Sequence, residues 1–278
     1  MLDLSRADPS LLLLVDKVTA ELLAKSTQLG ADEVMLVGAH CRDVLQSAFG
    51  HEFSLRVTAD IDLGLVVANW AAYDELVTRL PPTGNTGIRF RIAQTSTDLL
   101  PFGPVEDPPG TVTPTSRRDP INVWGFAEVF AASLSLELPT AGTIRIPTAA
   151  GYAALKLAAW LDRSAYGEYK DASDIATVLY WYSTSPAVET YIYETARGQN
   201  LLVEANLDDA VAAARVLGED IAGIVGAKRL SEITGRWSTS PKDLLAHHMT
   251  VTNAPAWVAS SDRRQTLLTA MERGAGLG

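Results

Sequence analysis

The sequence has a single cysteine, few histidines and no long hydrophobic run. Cys41 alone can form neither an internal disulfide nor a cysteine-built zinc site. No stretch approaches the roughly 20 apolar residues of a membrane helix, because the apolar run at 11–15 ends at Asp16 and Lys17. The net charge is −10, so the chain as a whole does not attract nucleic acid. We therefore expect a cytoplasmic protein without membrane association, whose contact with RNA or DNA would need a local basic patch or a metal ion.

The apolar pattern changes near residue 148, which predicts two parts. An N-terminal helix is predicted to begin at Asp8-Pro9. Strands are predicted at 33–38, 59–67, 88–92, 95–100, 123–130, 134–138 and 143–146. Later segments have helical spacing, and the last helix is predicted to open at Asn253-Ala254-Pro255. We predict an α+β fold, with a mixed sheet and flanking helices in residues 1–147 and an all-helical part in residues 148–278.

Two acidic residues dominate the predicted strand at 59–67. Asp60 and Asp62 are two positions apart, so their side chains point to the same face of a strand. Carboxylates this close repel each other unless a cation lies between them, and Mg²⁺ prefers such oxygen ligands. Gly38, where an earlier strand meets a helix, leaves room for a phosphate beside helical N–H groups. The alternative is a solvated strand edge, which is a common location for paired acids.

The order of these residues resembles a known family. Gly38-Ala39, followed by Asp60-Ile61-Asp62, is similar to the first motif of the nucleotidyltransferase superfamily that shares the DNA polymerase beta palm. The closer resemblance is to the AbiEii/AbiGii-type nucleotidyltransferases, which include toxins of abortive-infection and MenT-like toxin–antitoxin systems. Many superfamily members carry a serine where this chain has Ala39, so a hydroxyl contact to the nucleotide phosphates is missing or supplied elsewhere.

The resemblance implies a fold and a set of site residues. The fold would be a nucleotidyltransferase palm, with Asp60 and Asp62 holding one or two Mg²⁺ ions. The residues expected to line the bound nucleoside triphosphate in this part are Gly38, Ala39, His40, Arg56 and Thr58.

A second part of the resemblance lies after residue 148. The segments at 155–163 and 170–175 are similar to the family's lysine-bearing helix and its K-D-x-x-D helix start. This implies that Lys156, with Arg163 and Lys170, binds the triphosphate and that Asp171 completes the active site. Lys156 and Arg163 lie two helical turns apart and so share a face. The alternatives are a surface role for Lys156 and helix capping for Asp171.

A third acid completes the candidate set. Asp98, in the segment 97–102, matches the family's DLLPF stretch. The resemblance makes it a third metal ligand or the base that takes a proton from the attacking hydroxyl. The alternative is a polar residue at a strand end.

Together these features imply an enzyme that moves a nucleoside monophosphate from a nucleoside triphosphate to an acceptor hydroxyl and releases pyrophosphate. The resemblance suggests the 3′ end of tRNA as the acceptor and a cognate antitoxin protein as a partner. Two alternatives stay open. One is a small-molecule nucleotidyltransferase of the aminoglycoside type, which the negative net charge favours. The other is a catalytically silent relative that binds a nucleotide.

Overall fold

The structure, a computed structural model, describes residues 3–278, which form two compact units. The sheet unit consists of residues 3–52 and Arg56–Thr148, and the helical unit consists of Phe53–Leu55 and Ala149–Gly278. The protein is α+β, with a six-stranded mixed sheet, flanking helices and a helical C-terminal region, so the predicted fold class is confirmed.

The sheet unit is built from short elements joined by turns. In chain order they are α1 (Pro9–Lys25), β1 (Val34–Val37), α2 (Gly38–Ala48), β2 (Asp60–Val66), α3 (Trp70–Val77), β3 (Arg89–Ile92), β4 (Thr95–Phe102), β5 (Thr111–Val112), β6 (Ile121–Asn122), α4 (Phe126–Ala131), β7 (Leu134–Leu138) and β8 (Gly142–Ile146). The large sheet has the order β3-β4-β2-β1-β8-β7, and β5 pairs with β6 separately. β2 runs parallel to β4 and antiparallel to β1, so β2 is a central strand.

Local sequence signals explain several of these elements. The Asp8 carboxylate accepts a hydrogen bond from the Ser10 N–H, and Pro9 occupies the first turn, so α1 begins where the sequence predicts. β1 is buried along its whole length, as expected for a continuous apolar run in an interior strand. The first half of β2 alternates instead, because Ile61 and Leu63 are fully buried whereas Asp60 and Asp62 are half-buried.

The predicted strand at 123–130 is wrong, because most of this segment is the helix α4. Gly125 adopts φ 77°, a left-handed conformation that turns the chain before the helix. Phe126 and Phe130 are four residues apart and share a helical face. Their rings lie 5.6 and 5.5 Å from the Phe102 ring, so packing against β4 determines the helix.

The helical unit contains the remaining helices. They are α5 (Ala149–Arg163), α6 (Lys170–Thr184), α7 (Pro186–Glu194), α8 (Ala196–Glu204), α9 (Asp209–Ser238), α10 (Lys242–His248) and α11 (Ser261–Ala275). α9 is interrupted at Gly226, whose backbone is not helical. Trp160, Trp181 and Trp237 are completely buried and form much of the core. Within residues 3–278, no helix combines the length and the apolar composition that crossing a membrane requires.

The last helix begins later than predicted. Asn253 and Ala256 have positive φ values of 66° and 58°, so the segment around Pro255 cannot start a helix. α11 starts at Ser261 instead, and the Ser260 side chain accepts a hydrogen bond from the Arg263 N–H. The segment Asn253-Ala254-Pro255 was therefore a turn signal rather than a helix start.

Candidate functional site

Three carboxylates lie on neighbouring strands of the large sheet and form what we call the carboxylate cluster: Asp60, Asp62 and Asp98. Asp62 on β2 is directly paired with Asp98 on the parallel strand β4. Asp60 shares the face of Asp62 because side chains alternate along a strand. The backbone pairing therefore brings together all three residues that the sequence analysis named as metal ligands.

A guanidinium that the sequence analysis did not consider lies in the same cluster. Arg89 on β3 is paired in register with Asp98. Its Nε and Nη2 donate to the two oxygens of Asp98 at 2.6 and 2.7 Å, and Nη2 also reaches Oδ2 of Asp60 at 3.1 Å. The hydrogen bonds with Asp98 and the charges of the cluster raise the pKa of Arg89, so it remains a cation. Arg89 is the main functional candidate that sequence reasoning missed.

The carboxylate cluster is a set of anionic oxygen donors. Three carboxylates and one guanidinium lie on one face of the sheet. Among the described residues 3–278, no group of three His, Cys, Asp or Glu side chains has an arrangement suited to a metal ion. The donors fit Mg²⁺ nonetheless, because it is commonly bound by one or two carboxylates together with water and substrate phosphates. Asp98 is bound by Arg89, so its role as a third ligand stays a prediction.

The turn from β1 into α2 makes close contact with Asp62. Gly38 has φ 68°, which disfavours any residue with a side chain. A Cβ at this position would overlap Oδ2 of Asp62 and lie 2.7 Å from its Cγ. The Asp62 carboxylate therefore occupies the space that a side chain at Gly38 would fill. No side chain caps the first turn of α2, so its N–H groups could donate hydrogen bonds to a phosphate.

His40, in the first turn of α2, is the candidate nucleotide-lining residue with the most unusual environment. Its Nδ1 atom is buried and makes no hydrogen bond within the described chain. Burial lowers the pKa of His40, and this effect outweighs the charges of Asp43 and Asp60 and a hydrogen bond with the Asp60 main chain. The imidazole is therefore neutral near pH 7, with an orphan polar atom of the kind that a bound ligand satisfies. Its neighbour Ala39 is buried and has no polar side-chain group.

The loop before β2 is tied to the site by two side-chain contacts. The Thr58 hydroxyl donates to Oδ1 of Asp60. Arg42, which is almost fully buried on α2, donates to the Arg56 carbonyl at 2.6 Å. Through these contacts Thr58 orients a carboxylate of the cluster, whereas Arg56 is held by its main chain and its side chain is exposed.

The candidates of the later motif lie in the helical unit, and three of them belong to one cluster of charged side chains. Lys156 on α5 lies 2.6 Å from Asp174 and 3.4 Å from Asp171, both on α6. The side chains of Asp171 and Asp174 are buried, with exposed fractions of 0% and 1%, and the Lys156 side chain is 12% exposed. Arg163 Nη1 donates to both oxygens of Asp171 at 3.2 Å. Two cations and two carboxylates thus neutralise each other in this cluster.

These contacts differ in what they leave accessible to a nucleotide. Asp171 is inaccessible to a substrate in this arrangement, and Lys156 already has two partners. Lys170 is different, because it is exposed at the start of α6, and its ammonium lies 3.8 Å from Glu168. The geometry brings together Lys156, Arg163 and Asp171 and leaves Lys170 at the surface.

Comparison of the chain with protein-family models, with curated proteins and with solved structures finds no match in any of the three. The resemblance to the nucleotidyltransferases therefore stays an expectation from the sequence.

Proposed function

We propose that this protein is a Mg²⁺-dependent nucleotidyltransferase that moves a nucleoside monophosphate from a nucleoside triphosphate to an acceptor hydroxyl. The observation that carries the proposal is the position of Asp62, which lies in contact with the Gly38 turn and is paired across the sheet with Asp98. This arrangement places a negatively charged face next to the N-terminus of a helix, so ligands for a cation and donors for a phosphate are close together.

Each group of the sheet unit has a role in this proposal. Asp60 and Asp62 would hold Mg²⁺, which supplies charge neutralisation for the phosphates when it is bound. The Thr58 hydroxyl orients Asp60 through its hydrogen bond. The first-turn N–H groups of α2 donate to phosphate oxygens, and the neutral imidazole of His40 contacts the nucleotide. Asp98 would be either a third metal ligand or the base that accepts the proton of the attacking hydroxyl, the two roles that the family resemblance implies.

The acceptor and the biological setting are proposed from the resemblance alone. We take the acceptor to be the 3′ end of tRNA and the protein to be the toxin of a toxin–antitoxin or abortive-infection pair that acts in the cytoplasm. With a net charge of −10, RNA binding would depend on local contacts and on metal-bound phosphates rather than on the overall field.

A transfer assay tests this proposal. Purified protein is incubated with Mg²⁺, total tRNA and each α-labelled nucleoside triphosphate in turn. The matched control is Asp62→Asn, which keeps the size of the side chain beside Gly38 and removes its charge. Label on tRNA with the wild type and none with Asp62→Asn is the expected result. In a parallel reaction an aminoglycoside takes the place of tRNA. Label on the aminoglycoside and not on tRNA would contradict tRNA as the acceptor, and transfer to neither would contradict transferase activity.

One observation favours a second candidate, a nucleotide-binding protein without transferase activity. Arg89 bridges Asp60 and Asp98, so two of the three carboxylates already have a cationic partner. Mg²⁺-dependent nucleotide binding without transfer to any acceptor would support this candidate.

A further inference from the structure

Arg89 occupies the position where a cation would neutralise the carboxylate cluster. It lies on β3, the edge strand of the large sheet, next to β4. Its guanidinium binds both oxygens of Asp98 and also reaches Asp60, so it bridges the two strands that carry the acids. About a third of its side chain is exposed, which leaves the guanidinium room to change partners.

A metal ion and this guanidinium would compete for the same oxygen atoms. Asp60 is a proposed ligand of Mg²⁺, and Arg89 already donates to its Oδ2 atom at 3.1 Å. Two cations at one carboxylate repel each other at this range in a half-buried site. Binding of Mg²⁺ therefore weakens or displaces the contact between Arg89 and Asp60.

The planar guanidinium of arginine can donate two parallel hydrogen bonds to a phosphate as well as to a carboxylate. A nucleoside triphosphate bound beside the cluster would offer Arg89 new anionic partners at the moment when Mg²⁺ takes over Asp60. We propose that Arg89 is a phosphate-binding residue that couples the binding of Mg²⁺ to the binding of the nucleotide, an inference that rests on the proposed function. Without nucleotide it acts as the counter-ion of Asp60 and Asp98.

This coupling has a measurable consequence. Mg²⁺ alone binds weakly, because it must compete with the guanidinium without giving it another partner. The nucleotide removes that competition and so raises the affinity for Mg²⁺, and by thermodynamic reciprocity Mg²⁺ raises the affinity for the nucleotide. Removal of the guanidinium should strengthen the binding of Mg²⁺ alone and reduce the coupling to the part that comes from direct contact between Mg²⁺ and the phosphates.

The matched control lies on the same strand. Arg91 is two residues along β3 and so points to the same face as Arg89. Its guanidinium donates to the Gln94 carbonyl at 3.4 Å and its side chain is exposed. Arg91→Gln therefore makes the same change of charge on the same strand face, at a residue that forms no ion pair within residues 3–278.

The experiment measures the dissociation constant of Mg²⁺ by isothermal titration calorimetry. Each protein is titrated alone and in the presence of the α,β-methylene analogues of ATP, CTP, GTP and UTP in turn, which cannot undergo transfer. The variants are Arg89→Gln, Arg89→Lys and Arg91→Gln. Arg89→Lys keeps the positive charge but cannot donate two parallel hydrogen bonds. It serves as a second variant should Arg89→Gln fail to fold.

We expect Arg89→Gln to bind Mg²⁺ alone about tenfold more tightly than the wild type, the scale of a lost charge-assisted hydrogen bond. The analogue should strengthen Mg²⁺ binding about tenfold in the wild type and in Arg91→Gln, and much less in Arg89→Gln. Arg89→Lys should retain only part of the coupling.

Equal Mg²⁺ affinity and equal coupling in the wild type and Arg89→Gln would overturn this inference while leaving the transferase intact. A wild-type protein that binds no analogue with Mg²⁺ would overturn both. The transfer assay separates the two cases, because transfer by the wild type together with unchanged coupling in Arg89→Gln contradicts only the role of Arg89.

Discussion

Substitution of Gly38 by alanine should destabilise the protein more than its backbone conformation alone explains. Two effects add at this position. The left-handed conformation, φ 68°, disfavours any L-residue with a side chain by about 1–2 kcal/mol. The new Cβ would also overlap the Asp62 carboxylate, and overpacking of this kind costs about 1–3 kcal/mol because the neighbour must move. We expect the free energy of unfolding to fall by about 2–5 kcal/mol in total.

Gly84 provides the matched control for this prediction. It has the same φ of 68°, but a Cβ there would meet nothing within 4 Å. Gly84→Ala should therefore show only the conformational cost of about 1–2 kcal/mol. Equilibrium urea unfolding of the wild type and the two variants gives both values, and their difference isolates the contact with Asp62.

The same pair of variants also reports on the site. Displacement of the Asp62 carboxylate should weaken Mg²⁺-dependent nucleotide binding in Gly38→Ala and leave it unchanged in Gly84→Ala. Equal losses of unfolding free energy in the two variants would refute the reasoning, because the Gly38 turn would then not be packed against Asp62.

Two further predictions concern buried charge. In urea unfolding, Lys156→Met should lower the free energy of unfolding by about 3–5 kcal/mol, because it removes a cationic partner from the buried carboxylates of Asp171 and Asp174. The control Lys170→Met should change the free energy of unfolding by less than about 0.5 kcal/mol, because Lys170 is exposed. A small effect at Lys156 together with weaker nucleotide binding would favour the nucleotide-binding role instead. For His40, burial lowers the pKa below its ordinary value of 6.5, so the folded state binds this proton less readily than the unfolded chain. The free energy of unfolding should therefore fall as the pH drops below about 6.5, and His40→Gln should make this decline shallower in unfolding measurements between about pH 7.5 and about pH 5; an unchanged slope would contradict it.

Sequence patterns correctly predicted the features that depend only on residues close together in the chain. The spacing of Asp60 and Asp62 places them on one face of β2 because side chains alternate along any strand. The capping signal at Asp8-Pro9 marks the start of α1 because it satisfies N–H groups of the first turn. These features need no knowledge of which elements become neighbours.

Which residues meet in the carboxylate cluster depends on the order of the strands in the sheet, and the sequence alone does not predict that order. Asp98 meets Asp62 only because β4 pairs in parallel with β2, across a connection that contains α3 and β3. Arg89 joins them because β3 pairs with β4 in a specific register. One sequence signal could have indicated Arg89 as a site residue. Arg89 and Arg91 are two positions apart on a predicted strand, which gives that strand a basic face suited to pairing beside a strand with acidic residues.

The incorrect strand at 123–130 has a related cause. Its aromatic and β-branched residues favour a strand locally, whereas the contacts of Phe126 and Phe130 with Phe102 stabilise a helix. Tertiary packing overrides a short local preference, and a segment of this length carries too few residues to show the helical period.

Equilibrium binding of labelled nucleoside triphosphate, with Mg²⁺ and with a chelator, tests the central claim most directly because it needs no acceptor. The account predicts binding by the wild type with Mg²⁺, loss of that binding with the chelator, and at least about a tenfold weaker affinity in Asp62→Asn, which keeps the packing against Gly38 and removes the charge. Nucleotide binding that is indifferent both to Mg²⁺ and to Asp62→Asn, or no binding of any nucleotide, would contradict a metal–nucleotide site at Asp60 and Asp62.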